Sequence, residues 1–479
     1  KIDVSKYPNA KPQFSPRFGF NYKPFDDENG SLQIRGGTGL FTGTPPYVWI
    51  SNQAGNNGVL FGDLNVRAVK DKNDNIISDG RPSLGFTGNM DTYKPAEGSA
   101  TRSDIAITDP DFKYPSLWKS NIAADYKFGD GWVATVELLY SKDINAIYHD
   151  NIGLYRTEQF VNDGGAGNAR PYYNGYYSDR EGNQKAANHV VMLRNTSKGH
   201  SLYTTFQLQK NFVDGILKGL YLNGSYSFGQ SRGVTDGTSS VATSAWKYRA
   251  ALDGNAEEVG YTAGSFDGRL LLSASYTANW SKYAATSFGL IYQRYRPFRY
   301  SYCYNGDANG DSQFSNDLMY IPANFDEVKD HLLPGDFDSQ DDAWKAMNAF
   351  IEQDPYLSKH RGEYAERNGA VAPFANQLDL SVSHDIKIYQ KNGRSHTLRF
   401  SFNIANFLNL LNRNWGVVQT TVLGNQQYQF LTIPKGQGPS AANNYTLKYT
   451  MAKDLDETFK DNLNDVSRWQ MQFGIKYIF

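Results

Sequence analysis

The chain has 479 residues, a formal net charge of -1 and a single cysteine, Cys303. The balanced charge points to no nucleic-acid partner, and a lone cysteine excludes an internal disulfide and a cysteine-based zinc site. Mean hydropathy is -0.58, and no run of about 18 apolar residues occurs, so no transmembrane helix is available.

Length alone would allow about two to four soluble domains. The vocabulary points elsewhere: aromatics reach 14%, with 33 Tyr and 28 Phe, and 44 residues are Gly. Aromatics favour pleated surfaces, and Gly supplies positive φ in turns. The chain opens on Lys1 without a signal-peptide pattern, which predicts a processed product or a fragment.

Along the chain, apolar side chains recur at every second position, the period of a strand with one greasy face. Phe18, Phe20 and Tyr22 predict a strand over 14–25. The turn Asp26-Asp27-Glu28-Asn29-Gly30 leads into Leu32, Ile34, Thr38 and Leu40 over 31–41. Trp118, Ile122, Ala124, Tyr126 and Phe128 mark 116–128. Gly129-Asp130-Gly131 then turns the chain into Trp132, Ala134, Val136, Leu138 and Tyr140 over 132–147. Strands over 200–212 and 217–230 flank a turn at Val213-Asp214-Gly215, and strands over 266–278 and 284–297 flank Asn279 to Lys282. Strands over 376–389 and 395–408 flank Gln390 to Arg394. The last, over 467–479, carries Trp469, Met471, Phe473, Ile475, Tyr477 and Phe479, and five of its six interleaved positions are polar or Gly.

The connections sort by parity. Short turns at 26–30, 129–131, 213–216, 279–283 and 390–394 alternate with long segments at about 42–115, 149–199, 231–265, 299–375 and 409–466. An outer-membrane barrel with short periplasmic turns and long extracellular loops requires this order. The predicted fold is therefore all-β: a transmembrane antiparallel β-barrel in a bacterial outer membrane, crossed many times. Bacterial single-chain barrels use even strand numbers. The eleven strands read here are half of the 22 of the plugged outer-membrane transporters, so the chain is expected to need an amino-terminal half. The off-beat residues Arg35, Glu137, Gln207, Gln209, Asp379, Arg399, Gln470 and Gln472 should face the lumen. Trp118, Trp132, Trp280 and Tyr477 suit the aromatic girdle.

Several loops carry candidate chemistry. Asp307, Asn309 and Asp311 alternate as in a calcium-binding EF-hand loop, followed by Asp317, which together make a candidate Ca2+ site. The pattern departs from that loop, because Ser312 stands at the sharp-turn Gly and Leu318 at the bidentate Glu. The other reading is a set of Asx turns in a solvated loop. Tyr47, Trp49 and Asn52, together with Phe61, and Tyr172 and Tyr173 in the next long loop, offer aromatic faces and amides for a ligand such as a glycan or peptide; loop-on-loop packing is the alternative. Asp341 to Tyr356 has Trp344, Met347, Phe350 and Ile351 at helical spacing. The seven histidines are scattered, with no i, i+4 metalloprotease pair, and no nucleophile elbow occurs, so no enzyme is predicted.

Several stretches resemble the TonB-dependent receptor family, in particular its Oar-like branch from Bacteroidota. They are Ser15-Pro16-Arg17-Phe18-Gly19-Phe20-Asn21-Tyr22, Arg35-Gly36-Gly37-Thr38-Gly39-Leu40-Phe41-Thr42-Gly43, Pro45-Pro46-Tyr47-Val48-Trp49, Asn316-Asp317-Leu318-Met319-Tyr320-Ile321-Pro322 and Asn403-Ile404-Ala405-Asn406-Phe407-Leu408-Asn409. The resemblance covers most strands and some loops. It implies a plug domain, a TonB-contacting box and energised uptake, of which plug and box would lie outside this chain. The partners expected are outer-membrane lipid, an amino-terminal barrel half and plug on another polypeptide piece, TonB acting through that plug, and a surface lipoprotein. A surface adhesion or assembly barrel without transport is the competing function.

Overall fold

The computed structural model describes residues 3–57, 69–70, 76–77, 89, 104–165, 167, 169–177, 189–237, 239–391, 394–423 and 426–479. Its largest sheet is a meander of eleven long antiparallel strands, each hydrogen-bonded to the next in sequence. They are β1 (Arg17–Asp27), β2 (Gly30–Thr42), β3 (Ser116–Phe128), β4 (Trp132–Asp143), β5 (Gly199–Asn211), β6 (Leu220–Gly233), β7 (Arg269–Ser281), β8 (Ala284–Tyr295), β9 (Ala375–Lys391), β10 (Arg394–Ala405) and β11 (Gln470–Ile478). Among the described residues β1 pairs only with β2, and β11 only with β10, so the sheet is open.

The two-residue period decides which way each side chain faces. Phe18, Phe20 and Tyr22 on β1, Ile122 and Tyr126 on β3, Leu202 and Phe206 on β5, Tyr226 and Phe228 on β6, and Met471, Phe473, Ile475 and Tyr477 on β11 are all exposed. Register lines them up into an outward apolar band, as where Phe402 stands opposite Phe473 and Ile404 opposite Met471. The other face is polar and cross-linked. Arg35 Nε donates to Asp125 at 2.8 Å, Thr135 Oγ1 donates to the same carboxylate at 2.7 Å, and Gln207 donates to Asn223 at 2.7 Å. Arg399 grips Asp385 with two bonds of 2.6 and 2.7 Å. An Arg or Lys moved to the lipid face at mid-membrane would cost about 2–4 kcal/mol. Away from the strand ends, where Lys142, Lys210 and Arg294 share the apolar parity, the sheet keeps its charges on one side and its hydrocarbon on the other, the pattern of a membrane barrel wall.

Turn chemistry closes the short hairpins. Asp27 Oδ1 accepts the N–H groups of Asn29 and Gly30 at 2.8 and 3.2 Å, an Asx turn between β1 and β2. Between β3 and β4, Gly131 has φ 81°, and a Cβ there would lie 2.5 Å from the carbonyl oxygen of Asn211 on β5. Glycine meets both demands.

Strand ends differ from the sequence reading where loop structure takes over. The strand expected over 132–147 ends at Asp143, and the chain restarts as a separate strand, Ala146–Asn151, which pairs with Val190–Thr196. The strand expected over 395–408 ends at Ala405. Asn406, with φ 51°, then opens the short helix Phe407–Leu411.

The long connections fold over one end of the sheet around a core of their own. Tyr300, Tyr302, Tyr304, Phe350, Tyr428, Phe430 and Tyr449 are all buried in it. Strand Arg299–Asn305 runs parallel to Gln427–Thr432, so two loops far apart in sequence share one small sheet. Helix Gln340–Gln353 buries Ala343, Met347, Phe350 and Ile351 against this core, and Ser339 caps it by accepting the N–H of Asp342 at 3.1 Å. Asp354, fully buried, is satisfied by the hydroxyls of Tyr302 and Thr458, each at 2.7 Å, and by the N–H groups of Tyr356 and Leu357. This dense aromatic packing gives the loops a core of their own, tied to the strands beneath by contacts such as Arg232 with Glu366.

Candidate functional site

The Asp307–Asp317 segment forms a tight, buried turn. Asp307 accepts the N–H groups of Asn309, Gly310 and Ser312 at 3.2, 2.6 and 2.8 Å. Asn309 Oδ1 accepts from Asp311 N–H at 2.9 Å, and Asp311 Oδ1 from Gln313 N–H at 2.8 Å. Ser312 has φ 66°, the left-handed conformation that glycine supplies at the matching position of an EF-hand loop. Asp317 has partners outside that turn as well as in it. Its Oδ2 accepts Ala308 N–H at 2.8 Å and its Oδ1 accepts from Arg170 at 3.0 Å. Among the described residues no three His, Cys, Asp or Glu side chains converge closely enough to hold a metal ion. Among the described residues Asp311 Oδ2 accepts no main-chain N–H, only Asn309 Nδ2 at 3.4 Å.

Arg170 is the residue that sequence reading missed. It is fully buried and donates to Asp163 at 3.0 Å, to Asp317 at 3.0 Å and to the carbonyl of Leu318, with its guanidinium over the rings of Tyr304 and Tyr364. Burial opposes its charge, and Asp317 and Asp163 more than offset this, holding it protonated. Burial pushes Asp317 up to about 7, with Arg170 pulling the other way. Asp311 is raised well above the carboxylate range by burial, then by repulsion from Asp317 and Asp307; burial also raises Asp307. Arg170 lies in a different loop, 147 residues before Asp317, so no local pattern could have paired them.

The five aromatic and amide candidates do not form one site. Tyr172 and Tyr173 wedge against the acidic turn: Tyr173 N–H donates to the carbonyl of Asn309 at 2.7 Å, and its hydroxyl donates to Asp253 at 2.8 Å. Tyr173 is buried, and the Tyr172 ring packs on Tyr445 at 4.9 Å. Trp49 and Asn52 sit on helix Tyr47–Gly55 and fasten it to a neighbouring loop. Trp49 Nε1 donates to Ser239 O at 2.8 Å and Asn52 Nδ2 to Ser240 O at 2.7 Å. Trp49 also meets His149 edge-on at 5.8 Å, and burial pushes that imidazole down to about 4, so it packs as a neutral ring. Tyr47 alone reaches open space. It is 64% exposed and, with Tyr7, Thr42, Ile50, Phe112 and Tyr114, lines a cavity of about 600 Å³. Phe61 lies outside the described residues.

Comparison with known proteins places this architecture. Residues 3–438 match the outer membrane beta barrel domain family. The chain belongs to this family. The eleven-stranded sheet is accordingly part of a barrel wall in a bacterial outer membrane, and the packed loops form its crown.

No curated protein matches the sequence. Similar solved structures include a ferric enterobactin receptor mutant from Pseudomonas aeruginosa, at 9% identity and TM-score 0.37, with 86% of this chain and 36% of that one covered. The outer membrane transporter YddB from Escherichia coli gives 10% identity and TM-score 0.38, with 82% and 36% covered. The FrpB iron transporter from Neisseria meningitidis gives 8% identity and TM-score 0.30, with 81% and 38% covered. The barrel chain thus spans little more than a third of each of these.

Proposed function

We propose that this chain is the barrel wall and ligand-collecting crown of a TonB-dependent receptor of the Oar-like branch, importing a peptide or oligosaccharide across the outer membrane. The observation that carries this reading is the crown itself. Four of the five long connections bury a common, largely aromatic core above the membrane strands, and the first joins a smaller cluster beside it through Ala106; together they hold an ordered, partly aromatic surface where an extracellular ligand arrives. Concave sites lined by aromatics and a few polar groups are the usual form of ligand pockets, and the Tyr47 cavity has that form.

Transport needs more than an open sheet. Hydrocarbon cannot hydrate the free N–H and C=O groups along β1 and β11. Those edges therefore call for further strands, supplied by an amino-terminal barrel half with its plug on another polypeptide piece. TonB would act through that plug, and a surface lipoprotein could close over the crown. Calcium at Asp307, Asn309, Asp311 and Asp317 belongs to the same proposal: a divalent cation would relieve the repulsion among Asp307, Asp311 and Asp317.

The test is uptake of labelled peptides and oligosaccharides by cells carrying the complete receptor, with and without the proton gradient. Accumulation that needs both receptor and gradient is expected. Surface binding that never becomes gradient-dependent accumulation would instead favour an adhesion or assembly barrel.

A further inference from the structure

A second cavity in the crown is polar, and three buried arginines meet at it. It has a volume of about 110 Å³ and is lined by Arg249, Arg299 and Arg367, which come from two separate long loops, with Gln427 closing it from a third. The three arginines are 5%, 8% and 4% exposed. Guanidiniums buried this deeply normally sit on carboxylates, because a buried charge left unpaired is strongly unfavourable.

Among the described residues two of the three have no carboxylate within ion-pair distance, although Glu258, Asp253 and Asp150 favour the charge of Arg249 from further off, and Asp236, Glu258 and Glu366 that of Arg367. Among the described residues, Arg249 donates only to main-chain carbonyls, those of Val234, Gly254 and Ala256. Arg367 likewise donates to the carbonyls of Val234, Gly233 and Gly260. Both leave a buried Nε–H without a hydrogen-bond partner. Only Arg299 has an ion-pair partner, Asp267 at 3.0 Å. The one carboxylate lining the cavity, Asp236, is occupied by Ala263 N–H at 2.8 Å and Asn368 Nδ2 at 3.1 Å. Burial lowers Arg249 to about 10, and the neighbouring Arg367 adds to the fall. Hydroxyl and amide groups of Ser244, Ser301 and Gln427 lie around the same space.

We propose that this cavity is an oxyanion site that takes a carboxylate or phosphate group of an extracellular ligand. A planar, multi-donor guanidinium matches both groups, and charge-assisted bonds in a dry site are the strong ones. A single water needs roughly 10–15 Å³ of such space, so the cavity admits a phosphate-sized group and excludes a whole ligand. The site goes beyond the import reading, because an adhesin would use it equally.

The test uses the complete receptor in detergent, with ionic strength held constant by chloride. Inorganic phosphate, a short peptide acid and the same peptide as its carboxy-terminal amide are titrated, reading calorimetric binding and protease resistance of the crown. Saturable binding of phosphate or of the peptide acid, but not of the amide, is expected, and the tighter of the two names the source. At one hundred times Kd the open population of the crown should fall about 100-fold. Ala245→Leu fills the cavity without touching an arginine, and should leave the unliganded crown intact while weakening binding at least tenfold. Arg249→Gln should do the same if the crown still folds, and Ala245→Leu decides the matter if it does not. No saturable anion effect in the unaltered receptor, or unchanged affinity in Ala245→Leu, would show that the arginines only staple loops together.

Discussion

Replacing Arg170 with Leu removes the one cation between Asp163 and Asp317 while keeping an apolar stem in place. All three side chains are essentially inaccessible, with exposures of 0%, 1% and 1%. Breaking a buried ion pair by deleting one partner costs about 3–5 kcal/mol, because the remaining charge stays buried and unpaired. At 1.36 kcal/mol per tenfold, that is roughly 150-fold to several thousand-fold in the opening equilibrium of the crown. Amide exchange in the crown is the assay, since it reports local opening separately from the membrane strands. The amides of Tyr304, Leu318 and Met319, close to the pair, should lose protection by that factor, and β5 to β8 should not. The pH dependence has a definite sign. Burial raises the folded pKa of Asp317 to about 7, well above the ordinary carboxylate range. Such a group binds its proton more readily when folded, so it destabilises the fold at high pH and the penalty disappears as pH falls below that range. Without Arg170 to oppose it this tendency strengthens, and the variant should regain part of its protection between pH 8 and pH 5. Unchanged protection at pH 8, or a loss that deepens on acidification, would refute the buried-triad account.

Other outcomes follow from the same structure. Phe473→Arg places a charge on a lipid-facing position that is 65% exposed; at about 2–4 kcal/mol near mid-membrane, the heat-modifiable folded band should be lost, whereas a normal yield would count against the lipid-face assignment. Gly131→Ala must strain a positive φ and push a Cβ against Asn211; it should cost about 1–2 kcal/mol, read as a lower denaturant midpoint. Calcium is expected to raise the protease resistance of the 299–375 loop in the unaltered protein and not in Asp307→Ala. Equal resistance with and without calcium would remove the ion from the proposal.

How much of this was legible beforehand depends on distance along the chain. Alternation at Phe18-Phe20-Tyr22 or Met471-Phe473-Ile475 is written in adjacent residues, because a pleated strand turns successive side chains to opposite faces whatever lies around it. The helix over Gln340–Gln353 was equally local, with Met347, Phe350 and Ile351 on one face. The fate of the loop aromatics was not local. Tyr47 and Trp49 lie two residues apart on one helix, yet one lines a cavity and the other fastens two loops. Tyr173, for which the sequence leaves both a ligand contact and loop packing open, lies buried against Asp253, 80 residues away.

The sequence by itself determined the membrane strands, their faces and the parity of their connections, since hydrocarbon on one side and water on the other impose a two-residue rhythm that needs no partner to be read. Only the tertiary structure decided that four of the long connections share a core, that Arg170 joins Asp163 to Asp317, and that Arg249, Arg299 and Arg367 surround one polar cavity. Burial is a property of what folds on top, and charges brought together from distant loops acquire their meaning only when water has been driven out from between them.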